Sequence, residues 1–195
     1  MTRGISPFAV IARRLSPVIA AITISVVWTG GPAGAQVRDL SSVRTLAVAP
    51  FADDDPTTRP LADRGAARLS DLLRGGRFQI IDSGRVAVEM GRAGLTAPSL
   101  ISPTQTILLG TRLGADAVLT GRIVQIIQDS AADPPADGGA LSIEGRATID
   151  VRVLDVGSRL ILLQEEFRCT VPGLVAEAVE CVVRDVATRL RQTRN

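Results

Sequence analysis

The residues of this chain that could carry out chemistry are its carboxylates and its two cysteines. The sequence contains no histidine and no lysine, so all 22 basic residues are arginine. Without histidine there is no Ser-His or Cys-His nucleophile, and without lysine there is no Schiff base and no phosphate-binding P-loop. The commonest catalytic mechanisms are therefore excluded, and carboxylate chemistry is the catalytic hypothesis that remains.

The best carboxylate candidates are Asp53, Asp54 and Asp55, at the end of a predicted strand, together with Asp116. However, successive aspartates point in different directions, and these lack the spacing of a calcium-binding loop. A solvated turn is the favoured interpretation, and a carboxylate-dependent metal or nucleotide enzyme is the alternative. We assign no catalytic, cofactor-binding or metal-binding residue, and we expect a protein that is not an enzyme and has no cofactor.

The cysteine pair supports a second prediction. Cys169 ends the last predicted strand, and Cys181 lies two turns into the final predicted helix. Because disulfides persist in oxidising compartments, we predict a disulfide between Cys169 and Cys181 that joins the strand to the helix. A free thiol at Cys181 is the alternative, since this residue lies at the rim of the helix's apolar stripe.

Residues 1–35 are typical of a secretory signal peptide. Three arginines precede the apolar run Val18 to Trp28, and Ala33-Gly34-Ala35 follows it. The run is shorter than the roughly 20 residues that a membrane span needs, so cleavage after Ala35 is favoured over an anchor helix. The expected product is one periplasmic domain, residues 36–195, with no membrane span and any outer-membrane association made through partners.

The mature domain lacks the features of a nucleic-acid-binding protein. The full chain has a formal net charge of +2, and removing the three signal arginines leaves −1. After residue 35 there is no tryptophan or tyrosine, and Phe51, Phe78 and Phe167 lie among aliphatic residues in predicted strands. These rings are expected in the core, so neither nucleic acid nor sugar should bind by stacking.

The hydrophobic pattern predicts the element order β-α-β-α-α-β-β-β-α. This is an α/β domain with a mixed sheet whose C-terminal part is an antiparallel meander covered by helices. The predicted strands span residues 45–51, 78–81, 118–127, 147–153 and 160–167, the predicted helices span residues 60–73, 84–93, 103–113 and 174–190, and a flexible loop is predicted at 129–139.

Two local predictions accompany this pattern. Ser102 and Gln105 form a capping box at the start of the third helix, and Gly114 ends that helix in the left-handed conformation. On one strand face, Arg122, Asp150 and Arg152 either form solvated charge ladders, which we favour, or face a neighbouring subunit.

Three segments resemble one family of bacterial envelope proteins. They are residues 46–51 (LAVAPF), residues 72–82 (LLRGGRFQIID) and residues 113–121 (LGADAVLTG). Together they are similar to the curli-secretion-channel (CsgG-like) superfamily, over about residues 43–190. In the third segment, Gly114 and Asp116 are assigned to a turn and Gly121 to a bulge or a close packing contact, so none is a candidate site residue.

The resemblance implies a non-catalytic function. Similar periplasmic domains occur in activator lipoproteins of penicillin-binding proteins, in an exopolysaccharide-export lipoprotein and, more distantly, in the Tol translocation protein. We therefore expect envelope assembly or export through binding of other envelope proteins, with homo-oligomer formation. A regulator of a peptidoglycan synthase is the alternative. Unlike those lipoproteins, this chain has no lipobox cysteine after its signal.

Overall fold

A six-stranded mixed sheet forms the centre of the fold in this computed structural model, which describes residues 36–37, 40–130 and 143–193. The strands are β1 (Gln36–Val37), β2 (Thr45–Val48), β3 (Gln79–Ile80), β4 (Ala117–Ser130), β5 (Ile143–Asp155) and β6 (Ile161–Pro172). The helices are α1 (Arg59–Leu73), α2 (Ser83–Ala93), α3 (Pro103–Leu113) and α4 (Val175–Gln192), with a 3₁₀ helix at Pro98–Ile101. Apart from β1 and the 3₁₀ helix, this is the predicted α/β order. The predicted signal peptide and residues 131–139 of the predicted loop lie outside the described residues.

The sheet has a short parallel part and a long antiparallel part. Its strand order is β1-β6-β5-β4-β2-β3, in which β2 runs parallel to both β3 and β4. Strand β2 is buried on both faces, as is usual for parallel strands. Strands β4, β5 and β6 form the predicted antiparallel meander.

The meander strands are longer than the sequence predicts. Pairing of β4 with β5 continues to Ser130 opposite Ile143, and pairing of β5 with β6 continues to Glu144 opposite Pro172. Asp129, predicted in the loop, is therefore in a strand. The added residues carry many polar side chains, which the backbone ladder tolerates because alternate side chains reach solvent. Hydrophobic alternation does not mark such residues.

The helices cover the two sheet faces unequally. Helices α1 and α4 pack on one face, where apolar residues of β4, β5 and α4 form the larger core cluster. Helices α2 and α3 pack on the opposite face against β2 and the start of β4, around Val86, Leu109 and Val118. Among the described residues, no helix covers that second face over the rest of the meander. The fold therefore changes from three layers to two along the sheet.

The predicted capping box at the start of α3 is wrong, because no side chain caps this helix. The backbone N–H of Ser102 already donates to the carbonyl of Ser99 at 3.1 Å, within the 3₁₀ helix, so Gln105 has no donor to accept from. The hydroxyl of Thr106 instead donates to the carbonyl of Leu100 at 2.7 Å. The other end follows the prediction, since Gly114 ends α3 with a φ of 66°.

A side chain from the sheet caps the final helix. The N-cap residue, Leu174, has no side-chain acceptor. Gln128 of β4 supplies it, since its Oε1 accepts from the backbone N–H of Val175 at 2.7 Å and its Nε2 donates to the carbonyl of Gly173 at 3.1 Å. This contact positions α4 across the meander.

The ring of Phe51 packs directly on the backbone of Gly121. A β-carbon built on Gly121 would lie 2.5 Å from Cδ1 of Phe51, closer than real contacts allow. Phe51 is only 2% exposed, so its ring has no room to move. Of the two predicted roles for Gly121, close packing is confirmed, and the bulge of β4 falls between Ile123 and Gln125.

We predict that Gly121→Ala destabilises the protein by about 1–3 kcal/mol, because the new methyl group must displace a buried ring. Gly91→Ala is the matched control. Gly91 lies in α2, and a β-carbon there meets nothing within 4 Å, so this change should stabilise the helix by about 0.5–1 kcal/mol. Urea denaturation of both variants measures the difference. Equal midpoints would contradict the packing argument.

Candidate functional site

The three aspartates after β2 form a hydrogen-bonded turn. Asp53 is 6% exposed, and its carboxylate accepts from the Asp55 N–H at 3.0 Å and the Thr58 hydroxyl at 2.6 Å. Asp55 turns away and accepts from the backbone N–H and the hydroxyl of Thr57, both at 2.8 Å. The Thr57 backbone N–H and then its hydroxyl hold the pKa of Asp55 below its ordinary value. Asp54 pairs with Arg122 at 2.8 Å. The three carboxylates therefore do not converge on one point.

Asp116 lies at the opposite end of β2 from this turn. Its Oδ2 accepts from the backbone N–H groups of Arg44 and Thr45, at 2.9 and 2.8 Å. The prediction that Asp116 serves its own turn is therefore wrong, since its partners are 71 and 72 residues away in sequence. The side chain ties the start of β2 to the start of β4. It is not part of a carboxylate cluster with Asp53.

The cysteines are close together between β6 and α4. Cys169 and Cys181 form a disulfide with a Cα–Cα distance of 6.1 Å. Asp185, one turn after Cys181, has a carboxylate oxygen within 4.8 Å of both sulfurs, the only such metal-compatible group among the described residues. With the sulfurs bonded to each other, neither is a thiolate that could bind a metal. The bond links the outermost long strand to its covering helix.

Glu165 and Glu166 project to opposite faces of β6, as predicted. Glu165 pairs with Arg189 of α4 at 3.0 Å, on the covered face. Glu166 pairs with Arg168, whose Nε donates at 2.7 Å, on the uncovered face. The two carboxylates cannot act on one substrate as an acid and a base.

We define the open face as the uncovered side of the meander. Its side chains come from alternate positions of the three strands on either side of the β4 bulge: Thr120, Arg122, Gln125, Ile127 and Asp129 of β4, Glu144, Arg146, Thr148, Asp150 and Arg152 of β5, and Gln164, Glu166, Arg168 and Thr170 of β6. This set includes the predicted residues Arg122, Asp150 and Arg152.

Most ion pairs of the open face run along a strand. Asp150 pairs with Arg152 at 3.2 Å, and Glu144 pairs with Arg146 at 3.3 Å, each two residues apart. The cross-strand charge ladder predicted from the sequence is thus largely replaced by ion pairs within strands. The contact of Arg146 with Asp129 of β4, at 3.8 Å, is a cross-strand exception. Exposed pairs of this kind contribute little to stability.

A groove of about 470 Å³ runs between the aspartate turn and the open face. Arg122 and Asp150 line it, and both also line a smaller cleft of about 50 Å³ beside Ile101. Two apolar side chains are exposed here, Val124 of the β4 bulge at 53% and Ile101 at 37%. Neither exposed side chain was predicted from the sequence, although two consecutive apolar residues, Ile123 and Val124, interrupt the alternation of β4 and could have indicated the bulge.

Arg152 carries an unsatisfied group beside the smaller cleft. Its Nη2 reaches Asp150, but its Nε is buried and has no hydrogen-bond partner, the only such side-chain atom among the described residues. An unpaired buried donor is costly. The guanidinium of Arg152 therefore has unused hydrogen-bonding capacity next to Ile101.

We predict that removing the disulfide with Cys169→Ser and Cys181→Ser lowers the free energy of unfolding by about 3 kcal/mol, as expected for a loop of this length. Reduction of the wild-type protein should have a similar effect. Mass spectrometry of the exported protein after thiol alkylation, with and without reductant, checks the bond itself. Two alkylated cysteines in the unreduced sample would show that it does not form.

Comparison with known proteins supports the fold. No protein-family profile matches the chain, and no curated protein matches it in sequence. Among solved structures, lipoprotein GNA1162 from Neisseria meningitidis is 15% identical, with a TM-score of 0.52, and the match covers 75% of this chain and 97% of that chain. A PelC dodecamer from Paraburkholderia phytofirmans is 13% identical, with a TM-score of 0.52, and the match covers 80% and 94%.

At these identities, the comparison shows that the fold is shared, but it does not show that any activity is shared. No helix among the described residues is long and apolar enough to cross a membrane. The chain has the α/β fold seen in GNA1162 and PelC.

Proposed function

We propose that this protein is a non-catalytic periplasmic component of the bacterial cell envelope that acts in envelope assembly or export by binding other proteins. Within that role, a curli-like or exopolysaccharide-secretion accessory is the leading assignment, and a regulator of a peptidoglycan synthase is the alternative. The protein forms a homo-oligomer. The CsgG-like resemblance of the sequence and the fold shared with envelope proteins support the proposal.

The single observation that carries the proposal is the open face. Beyond the 3₁₀ helix and α3 at one end, it leaves one side of three long strands without a covering helix among the described residues, and exposed Val124 and Ile101 border its paired charges. Apolar side chains surrounded by polar groups are typical of surfaces that bind proteins reversibly. The adjoining groove gives this surface a concave border that a partner could occupy.

The carboxylates favour binding over catalysis. Asp53 and Asp55 are engaged by hydroxyl and N–H groups of their own turn, and Asp54 is paired with Arg122. A carboxylate that serves as a general base must reach a substrate proton, and metal ligands must converge. The hydrogen bonds of Asp53 and Asp55 within the turn, and the ion pair of Asp54, support our assignment of the three carboxylates to the turn.

Oligomer formation has a precedent in the same fold, since PelC from Paraburkholderia phytofirmans forms a dodecamer. The proposed location, the periplasm after cleavage following Ala35, rests on the composition of residues 1–35.

The test is complementation of a deletion strain, scored for polysaccharide export, curli assembly and sensitivity to cell-wall inhibitors. Val124→Asp should abolish complementation, because it replaces an exposed apolar side chain of the groove beside the open face with a charge. Val88→Asp is the matched control. Val88 is exposed to a similar extent, 51%, but lies on α2, so this variant should complement fully.

The double variant Asp53→Asn with Asp55→Asn tests the enzyme alternative. It removes both negative charges but leaves oxygen acceptors for Thr58 and Thr57. A binding protein should retain its function, and metal analysis should show no loss. Loss of function in a folded, normally exported variant would instead support carboxylate chemistry.

A further inference from the structure

The disulfide between β6 and α4 has a carboxylate beside it. Asp185 follows Cys181 by four residues on α4, so both side chains lie on the same side of the helix. One oxygen of Asp185 and the sulfurs of Cys169 and Cys181 all lie within 4.8 Å of one another. Asp185 is exposed and, among the described residues, has no hydrogen bond or ion pair. Its carboxylate is therefore free to bind a cation next to the sulfurs.

The two cysteines stay close together without the bond between them. Helix α4 is fixed on the meander by Gln128 at its start and by the ion pair of Arg189 with Glu165 near its end. Between these contacts, apolar side chains of α4 are buried in the larger core cluster: Val179, Val182, Val183 and Val186. The packing of helix on strand thus maintains the Cα–Cα distance of 6.1 Å. Reduction should leave two neighbouring thiols.

Two thiolates and one carboxylate are a ligand set that suits zinc. Zinc in proteins is bound by cysteine sulfur, histidine nitrogen and carboxylate oxygen, usually in a tetrahedron. Calcium and magnesium take oxygen ligands, and copper(I) selects sulfur ligands, so the mixed set favours zinc over both. The chain contains no histidine and only two cysteines. The fold therefore places its only thiol ligands together with an acidic residue.

We propose that Cys169, Cys181 and Asp185 bind one Zn²⁺ ion when the disulfide is reduced, with a water molecule as the fourth ligand. A dithiol reductant transfers two electrons and two protons to the disulfide, which becomes two thiols, while the dithiol becomes a disulfide. Zinc then displaces one proton from each thiol, so two protons are released for each ion bound. The disulfide and the zinc complex are alternative states of the same cysteines.

The side-chain movements that this site requires are small. Zn–S bonds of about 2.3 Å place two sulfurs about 3.8 Å apart in a tetrahedron. Side-chain rotation gives this separation at a Cα–Cα distance of 6.1 Å. A carboxylate oxygen in the same tetrahedron lies about 3.5 Å from each sulfur, and the oxygen of Asp185 starts within 4.8 Å. No rearrangement of the backbone is needed.

Both states join β6 to α4. The disulfide makes this link under oxidising conditions, and zinc makes it after reduction, so the strand and the helix remain connected in either case. Cys169 lies on the covered face of β6, opposite the open face, because its sulfur is bonded to α4. Zinc binding is therefore separate from the proposed binding of partners at the open face.

The test is titration of the exported protein with zinc, followed by calorimetry, before and after reduction. A phosphine is the reductant, because a dithiol would itself bind zinc. The reduced protein should bind one Zn²⁺ per chain, and the oxidised protein should bind none. Cobalt(II) added in place of zinc should give the sulfur-to-cobalt charge-transfer band that identifies thiolate ligands. Zinc should also raise the urea midpoint of the reduced protein alone.

Three substitutions test the ligands one at a time. Cys169→Ser and Cys181→Ser should each abolish zinc binding and the cobalt band. Asp185→Asn should lower the affinity of the reduced protein for zinc at least tenfold, because it replaces a charged ligand with a neutral one. Asp63→Asn is the matched control. Asp63 is an exposed aspartate on α1 that is not part of the three-residue group, so this variant should bind zinc like the wild type.

Several results would overturn the zinc site. They are zinc binding that survives either serine substitution, an unchanged affinity in Asp185→Asn, and one ion shared by two chains. Circular dichroism of the reduced protein checks that α4 still holds the cysteines together, and unfolding on reduction would also contradict the proposal. None of these results bears on partner binding, which the Val124 variant tests separately.

Discussion

The contact between the Phe51 ring and the backbone of Gly121 joins the two parts of the sheet. The ring lies between Gly121 of β4 and Gly65 of α1, and small residues on both sides allow this approach. Backbone bonds continue the junction, from the N–H of Ala52 to Gly121 at 2.7 Å and from the N–H of Ile123 to Ala52 at 2.9 Å. The aspartate turn follows immediately, so this packing also places one wall of the groove beside Arg122.

Helix α4 is the second element on which the surface depends. Gln128 caps its start, the disulfide joins its middle to β6, and Arg189 pairs with Glu165 near its end. Through these three links, α4 buries one face of the meander in the core. The open face, on the other side of the meander, carries the proposed contacts with other proteins.

Most of the fold could be predicted from the sequence because its signals are local. Apolar spacing identified the helices, period-two alternation identified β5, and Gly114 marked the end of α3. The candidate surface could not be predicted in this way. Asp116 illustrates why, since its local sequence indicates a turn, whereas its hydrogen bonds reach residues more than 70 positions away. The Ser102 capping box failed for a related reason, because a neighbouring 3₁₀ helix had already used its donor.

The amino-acid sequence alone was thus sufficient to predict the α/β class and the order of helices and strands. It was also sufficient to exclude catalysis by histidine or lysine. These properties depend on composition and on short-range periodicity, which no tertiary contact can alter. Tertiary structure decided which meander face remains uncovered, where the β4 bulge exposes Val124, and that Arg122 pairs with Asp54 rather than with Asp150. These outcomes depend on strand register and on which helix packs on which face. Register and helix packing are determined only in the folded chain, because both depend on which segments far apart in sequence pair their backbones and bury their apolar side chains together.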